Sequence, residues 1–379
     1  MRALLAFILC AMCSVLAGPA QAQPHESAGP LEPLDWVLIP NLKFNDDAGF
    51  VYGGKVELIR PSTSPDRPFD WELRMKLSHS TRDRHEHRFN LDLPDALGTG
   101  VRAVILAEFV MINDARFFGV GNETRLRAPA LTRFGLIQPR ASVHGRSRSD
   151  SGLFLGAGVG GEFSRFEAPA GSLLAGSEVT GAGGSHAITG LLTAGFDSRD
   201  DELAPHRGVW LEFYLRGAAE ALGSSETFGG VGLSAAGYLP LTGWAVFAQR
   251  VVVDRLVGEV PLAQLGRLGG SRHVRGLGGV HTQRGFTEAR FIGETKFLSN
   301  TELRLGPAPF TRNFSIGGGP FLDVSRVFAP GDAHHLFEAY HPSVGAEVTL
   351  GWKETFLMRL DYGISAEGGR FYIQSRHLF

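Results

Sequence analysis

Apolar and polar residues alternate along many short segments of this chain, and this alternation limits the folds open to it. In FDWELRMKLS (69–78), apolar side chains occupy every second position, and Asp, Glu, Arg, Lys and Ser stand between them. GVWLEFYLR (208–216) and residues 355–364 repeat the pattern. Because successive side chains of a β-strand leave opposite faces of the pleat, a period of two predicts strands. The sequence therefore predicts an all-β fold.

The polar face of these segments separates two all-β architectures. A soluble sandwich would also alternate, with its polar residues in water, whereas a membrane barrel turns its apolar face to lipid and encloses a polar lumen. Charges recur on the second face in segment after segment, which favours the barrel. The 50 glycines and the lack of a long apolar run after residue 22 agree with this. A net charge of −2 gives no basic surface, so no nucleic-acid partner is expected.

The N-terminus predicts export through the inner membrane. Arg2 precedes an apolar run over residues 3–16, and Ala20-Gln21-Ala22 forms a small-x-small cleavage site. A membrane-anchoring helix would need a longer apolar segment. Cys10 and Cys13 both fall within this segment, so a cysteine-free mature chain is expected after Sec-type cleavage near Ala22. The predicted organisation is a signal peptide at 1–22, a short periplasmic segment at 23–35 and a barrel at 36–379.

Alternation and turn signals together predict a single sixteen-stranded antiparallel transmembrane β-barrel in the outer membrane. The even number is typical of single-chain bacterial barrels. One connection, residues 258–293 after the eleventh strand, is too long for a turn, and such loops are usually functional. The predicted strands lie near 36–45, 48–59, 69–80, 84–95, 101–113, 132–147, 151–166, 187–198, 207–218, 226–239, 243–257, 294–306, 313–328, 341–352, 354–365 and 370–379.

The long connection contains LGGSRHVRGLGG (268–279), in which glycines surround two arginines. Glycine permits tight turns of positive φ, so this segment can bend sharply. A phosphate-binding loop, a flexible surface tip and a loop folded into the barrel lumen are all consistent with it. Composition alone favours an exposed loop whose arginine aids solubility.

The chain resembles the C-terminal barrel domain of the BamA/TamA superfamily, also called the bacterial surface antigen family. The resemblance covers nearly the whole mature chain. It rests on LGGSRHVRG (268–276), NTELR (300–304), FLDVS (321–325), the terminal Phe379, FFGVGNET (117–124) and DSRDDELAPHRG (197–208).

This resemblance implies that the loop after the eleventh strand folds back into the lumen. There the arginine of Val274-Arg275-Gly276 would contact a glutamate and an aspartate on the next two strands, positions matched by Glu302 and Asp323. A guanidinium presents a rigid fork of donors that can satisfy two carboxylates. Phe379 is expected to act as the C-terminal insertion signal.

Several positions depart from the family pattern. Leu277 stands where an aromatic residue normally follows Val-Arg-Gly, Ser325 replaces a glycine, and His377 replaces an aromatic. Residues 23–34 leave no room for a periplasmic POTRA repeat. The chain is therefore expected to resemble the POTRA-less branch of the superfamily.

Other motifs carry little chemistry. GAGVGG (156–161) fits a dinucleotide-binding pattern, but it lies within an alternating strand and opens no helix. In RHEHR (84–88), His85 and His87 share one strand face and Glu86 takes the other, so at most two metal ligands converge. No G-x-S-x-G nucleophile motif occurs. Hence no cofactor, metal or catalytic residue is expected, and the protein is predicted not to be an enzyme.

Three functions remain open at this stage. The first is assembly or translocation of proteins, in which the seam between the first and last strands would open to pair with client strands. The second is a passive or plugged pore, since sixteen strands enclose room for a channel. The third is a lipid-modifying enzyme embedded in the barrel. Expected partners are outer-membrane lipids and either client proteins or a separate periplasmic protein.

Overall fold

A computed structural model gives the arrangement of the chain as one antiparallel sheet of sixteen strands. It describes residues 34–45, 48–62, 69–149, 151–202, 204–272, 274–309, 311, 314–329, 338–352, 356–375 and 378–379. The predicted signal peptide and its cleavage site lie outside these residues.

The first strand, β1, consists of Asp35–Pro40 and Lys43–Asn45, two segments that pair with the second strand in one continuous register. The remaining strands are β2 Gly49–Pro61, β3 Phe69–Ser80, β4 Arg84–Leu93, β5 Val101–Arg116, β6 Arg133–Arg148, β7 Leu153–Glu167, β8 Gly184–Asp197, β9 Gly208–Ala218, β10 Phe228–Thr242, β11 Ala245–Gly258, β12 Thr295–Pro309, β13 Phe314–Phe328, β14 His341–Trp352, β15 Phe356–Ser365 and β16 Gly368–Ser375.

Helical structure is confined to single turns in the connections. Two are 3-10 turns, Ala96–Gly98 and Glu220–Leu222, and two are α-helical, α1 (Pro129–Thr132) and α2 (Leu262–Leu265). In the part of the chain that is described, no helix has the length and apolar character needed to cross a bilayer.

Every strand pairs with its neighbours in chain order, so the predicted all-β antiparallel sheet of sixteen strands is confirmed. β16 returns to β1 through one residue pair, Tyr372 with Asn45. The largest difference from prediction lies at the end of the chain, where β16 stops at Ser375 and does not extend to Phe379.

The strands expose apolar side chains and bury polar ones. In β9, Trp210, Glu212, Tyr214 and Arg216 are at most 9 % exposed, whereas Leu211 and the other apolar side chains alternating with them are at least 42 % exposed. A soluble sandwich would show the opposite distribution. The burial pattern therefore agrees with a lipid-facing outer wall and a polar interior.

The two rims of the sheet differ in the length of their connections. One rim carries the long segments 117–132, 168–183 and 259–294, and the other carries short turns such as 243–244. Outer-membrane barrels place short turns at the periplasm and longer loops outside. We therefore refer to the first as the outer rim and to the second as the periplasmic rim.

Residues 259–294, here called the inner loop, occupy the interior of the sheet. Leu268, Leu277, Phe286 and Phe291 of this loop form a buried apolar cluster with Val252, Leu298 and Val327 of strands β11 to β13. The interior therefore has a packed core that this connection and the strands build together.

The outward position of Leu211 gives a test of this arrangement. Leu211→Arg should lower the free energy of unfolding in lipid vesicles by up to about 2–4 kcal/mol, because a lipid-facing arginine costs that much at the bilayer midplane and less toward the interfaces. Leu211→Met, which keeps an apolar side chain, is the control. Equal stability of the two variants, measured by urea titration with tryptophan fluorescence, would show that Leu211 does not face lipid.

Candidate functional site

The candidate site consists of the inner loop and strands β12 to β16, which lie around its residues Arg284 and Gly285. The loop begins with α2 and continues into a short hairpin, whose two strands, Arg267–Leu268 and Val274–Arg275, are two residues long. The chain then turns back, and Leu277 forms an isolated β-bridge with Phe291. At Gly278, φ is +110° and a Cβ would lie 2.1 Å from the carbonyl oxygen of Thr287. Only glycine fits such a turn, so this residue sets the return path of the loop.

Arg284 lies at the centre of the site and is completely buried. Its Nε and Nη2 donate to the two carboxylate oxygens of Asp323 at 2.8 and 2.9 Å. Its Nη1 lies 2.9 Å from Oε1 of Glu302. The guanidinium also stacks on the ring of Phe321, with 3.5 Å between its central carbon and the ring centroid. One side chain thus fixes the loop to both β12 and β13.

Further carboxylates surround the same guanidinium. Glu347 on β14 and Asp361 on β15 lie 3.6 and 3.7 Å from Nη1 of Arg284. Burial disfavours the charged guanidinium, but the negative charges of Asp323 and Glu302 outweigh it and raise the pKa of Arg284. The arginine therefore stays charged at every physiological pH.

The prediction that Arg275 contacts Glu302 and Asp323 was wrong. Arg275 lies in the loop hairpin, where it is 29 % exposed, and its Nη1 is 3.5 Å from Oε1 of Glu288 in the same loop. The physical reason is that the chain turns back after the hairpin and delivers Arg284 to the deepest position. Val274 packs partly buried against the apolar cluster, and Gly276 approaches Ala289.

A signal for Arg284 was present in the sequence. Arg284-Gly285-Phe286 has the aromatic residue after Arg-Gly that Leu277 does not supply at Val274-Arg275-Gly276. The two Arg-Gly steps share one loop, and the Gly-Gly pairs flank the one whose arginine does not reach Glu302 and Asp323.

Glu288 forms a second ionic contact between the loop and the wall. Arg84 of β4 donates to it from Nη2 at 2.9 Å. Burial would raise the pKa of Glu288, but the positive charges of Arg84 and Arg275 reverse this and lower it to about 2. Arg275 thus contributes to an ion cluster on the opposite side of the lumen from Glu302 and Asp323.

Phe379 lies inside the sheet, although it was predicted to end the last strand. Its ring centroid is 6.1 Å from that of Tyr238 and 5.0 Å from the guanidinium carbons of Arg250 and Arg304. Arg304 Nη2 also donates to the carbonyl oxygen of Phe379 at 3.0 Å. These cation–π and hydrogen-bond contacts explain the placement, and the role of Phe379 as an insertion signal stays a prediction.

The two remaining signature segments lie at opposite rims. In FFGVGNET, the Asn122 amide donates to the carbonyl oxygen of Ala339 at 2.8 Å and accepts from the Val327 N–H at 3.0 Å. The Gly121 N–H donates to the carbonyl oxygen of Ile292 at 2.9 Å, so this segment covers the inner loop at the outer rim. In DSRDDELAPHRG, Arg199 pairs with Asp197 at 2.9 Å near the periplasmic rim.

The seam between β1 and β16 is the weakest junction of the sheet. β16 is joined to β15 by eight residue pairs but to β1 by the single pair of Tyr372 and Asn45. Asp35–Pro40 pairs with β2 on one edge only. Among the described residues, ladder pairing therefore joins the facing edges of β1 and β16 at one position only.

Metal-binding geometry is not found in the described part of the chain, where no three His, Cys, Asp or Glu side chains are grouped to hold an ion. His79, His85 and His87 do meet on the outer face, with Nδ1 of His79 and His85 2.7 Å apart. Glu86 points inward to Arg84, as its strand position predicts.

Comparison with known proteins identifies the family. A model of the Omp85 superfamily domain matches residues 119–373. Curated protein sequences give no match. BamA from Haemophilus ducreyi lacking POTRA domains 1–3 is similar in structure, with a TM-score of 0.59 and 14 % identity over 91 % of this chain and 71 % of that one.

Two CdiB structures are also similar. CdiB from Escherichia coli matches with a TM-score of 0.58 and 11 % identity over 93 % of this chain and 64 % of its own. CdiB from Acinetobacter baumannii matches with a TM-score of 0.51 and 13 % identity over 90 % of this chain and 59 % of its own. The chain therefore spans less than two thirds of either CdiB. At such identities the likeness concerns the fold.

The geometry predicts that Arg284, and not Arg275, holds the loop. Arg284→Ala should lower the free energy of unfolding by about 3–5 kcal/mol, because it leaves buried carboxylates without their cation. Arg284→Lys should recover only part of this, since an ammonium lacks the planar fork. The partly exposed Arg275 makes Arg275→Ala a matched control with a much smaller loss.

The measurements are thermal unfolding and external protease cleavage within residues 268–285. Equal losses in Arg284→Ala and Arg275→Ala would contradict the assignment, as would an Arg284→Ala variant as resistant to protease as the parent.

Proposed function

The chain belongs to the Omp85 superfamily, and on this basis we propose that it inserts proteins into the outer membrane or translocates them across it through the seam between β1 and β16. Membership of the superfamily implies an outer-membrane location. The proposed partners are outer-membrane lipids and client proteins that arrive in extended form. Delivery of clients by a separate periplasmic protein is part of the same proposal.

The single pair between Tyr372 and Asn45 is the observation that carries this proposal. In lipid, an unpaired strand edge is costly because no water satisfies its N–H and C=O groups. A client strand that pairs with β1 or β16 would satisfy these groups, which is the chemistry of β-augmentation. The edges that meet at the seam are thus suited to bind an extended peptide backbone.

The filled lumen favours this function over an open pore. Arg284, Leu277 and Phe286 of the inner loop are buried within the sheet. An aqueous channel would require the inner loop to move out of the lumen. The family also argues against a lipid-modifying enzyme, because its members are assembly or translocation factors.

A disulfide across the seam tests the proposal. The register of Tyr372 and Asn45 places position 373 opposite position 44, so a Phe44→Cys, Ile373→Cys variant can be oxidised in a chain with Cys10 and Cys13 changed to serine. Oxidation should abolish any acceleration of folding of a urea-unfolded eight-stranded barrel protein in phosphatidylcholine liposomes, and reduction should restore it.

The control disulfide also uses position 373, but it joins β16 to its other neighbouring strand. Leu360→Cys with Ile373→Cys joins β15 to β16, where the two residues are already paired. It should leave the folding rate unchanged. If the seam disulfide also leaves the rate unchanged, the seam is not the route.

The lumen gives a second test, against the passive pore. The parent protein in planar bilayers should show no steady conductance, whereas Arg284→Ala should show openings as the loop loses its anchor. A stable open channel in the parent would favour the pore instead.

A further inference from the structure

The last hairpin, β15–β16, is held from inside by the inner loop. Four side-chain contacts join them, with donor–acceptor distances of 2.6 to 3.3 Å. They are Ser365 Oγ to Gly285 O, Arg370 Nη2 to Thr287 Oγ1, Arg290 Nε to Glu367 Oε1, and Tyr372 OH to Phe286 O.

Tyr372 stands at the meeting point of the loop and the seam. Its hydroxyl also accepts the Gly285 N–H at 3.2 Å, so it bonds the loop twice. The same residue is the one through which β16 pairs with Asn45 of β1. One residue therefore makes both contacts: the side chain of Tyr372 bonds the loop, and its backbone pairs with β1.

The loop also presses directly against β15. A Cβ on Gly363 would lie 2.8 Å from the backbone of Arg284 and Gly285. No side chain fits between the two backbones there. Together with the pairing of Arg284 to Asp323, this ties the loop to the wall from β12 to β16.

β1 is held by a different set of contacts. Its two segments make six and three residue pairs with β2. Asn41, between the segments, donates from Nδ2 to Ser78 Oγ of β3 at 3.0 Å. Different contacts thus hold the two sides of the seam: the inner loop holds the last hairpin, β2 and β3 hold β1, and the ion pair of the loop with the early strands, Glu288 with Arg84, is made on β4.

We infer that the inner loop and the β15–β16 hairpin move as one unit, and that Tyr372 is a positioning residue that holds β16 in register with β1. On this view the seam opens when β1 leaves a fixed β16. The inference rests on the proposed function and specifies which side of the seam moves.

Tyr372→Phe tests the positioning role without a client. It removes both hydroxyl bonds but keeps the ring. Exchange of the backbone amides at 43–45 and 372–374 with deuterium should become about fivefold faster, the change that about 1 kcal/mol produces. The matched control is Tyr362→Phe, since Tyr362 faces outward on the adjacent strand and is half exposed.

Amides of β8 and β9 distinguish positioning from general destabilisation. They should exchange at the parent rate in Tyr372→Phe, because the effect is local to the seam. Seam amides that keep the parent rate would overturn the inference. So would acceleration of the same size throughout the sheet.

A crosslink tests whether loop and hairpin move together. Thr287→Cys and Arg370→Cys, whose parent side chains are in contact, can be joined by a short bifunctional thiol reagent. With the loop so fixed to β16, folding of the eight-stranded probe protein should stay within twofold of the parent rate. A crosslink that stops folding as completely as the seam disulfide would overturn the inference.

The experiments can reject the proposed function and the inference about β16 independently. An ineffective seam disulfide removes the proposed function, whereas the exchange rates at the seam of the client-free protein still decide the role of Tyr372. An effective seam disulfide together with an inhibitory loop crosslink retains the proposed function and rejects the fixed β16.

Discussion

The ionic contacts of Arg284 are the interaction on which the interior depends. A buried guanidinium is expensive to dehydrate, and it is stable only with carboxylates in bidentate geometry. Asp323 and Glu302 supply that geometry from two adjacent strands. Each of these buried charges would destabilise the fold without its partner, so the loop and the strands depend on one another. The arrangement makes the position of the loop specific, because no other cation of the loop pairs with both carboxylates among the described contacts.

A second constraint is the reversed polarity of the sheet. Its outer face is apolar and its inner face charged, so the strands cannot pack on one another through an ordinary core. The inner loop resolves this by bringing leucines and phenylalanines into the lumen along with its charges. Apolar packing and ion pairing are thus combined in one connection. The seam differs from both, since β1 and β16 share a single ladder pair among the described residues.

The sequence predicted the strands well because alternation is a local property. Residues 208–216 reveal their two faces without reference to any other part of the chain, and all sixteen strands lie within a few residues of their expected positions. The contacts of the inner loop depend on how the backbone returns on itself, which spacing does not determine. Arg275 and Arg284 each precede a glycine, and only the fold decides which reaches Asp323. Phe379 was misplaced for a related reason, since its arginine partners come from distant strands.

The cover that residues 117–124 form over the inner loop has a consequence for any movement of that loop. The bonds from Gly121 to Ile292 and from Asn122 to Ala339 join three connections that are far apart in sequence. Withdrawal of the loop from the lumen must break the bond from Gly121 to Ile292. It must also separate Gly285 from Gly363, whose backbones are in close contact, so the outer rim and the final hairpin would lose a support together. The inner loop thus serves as a common anchor for two distant parts of the wall.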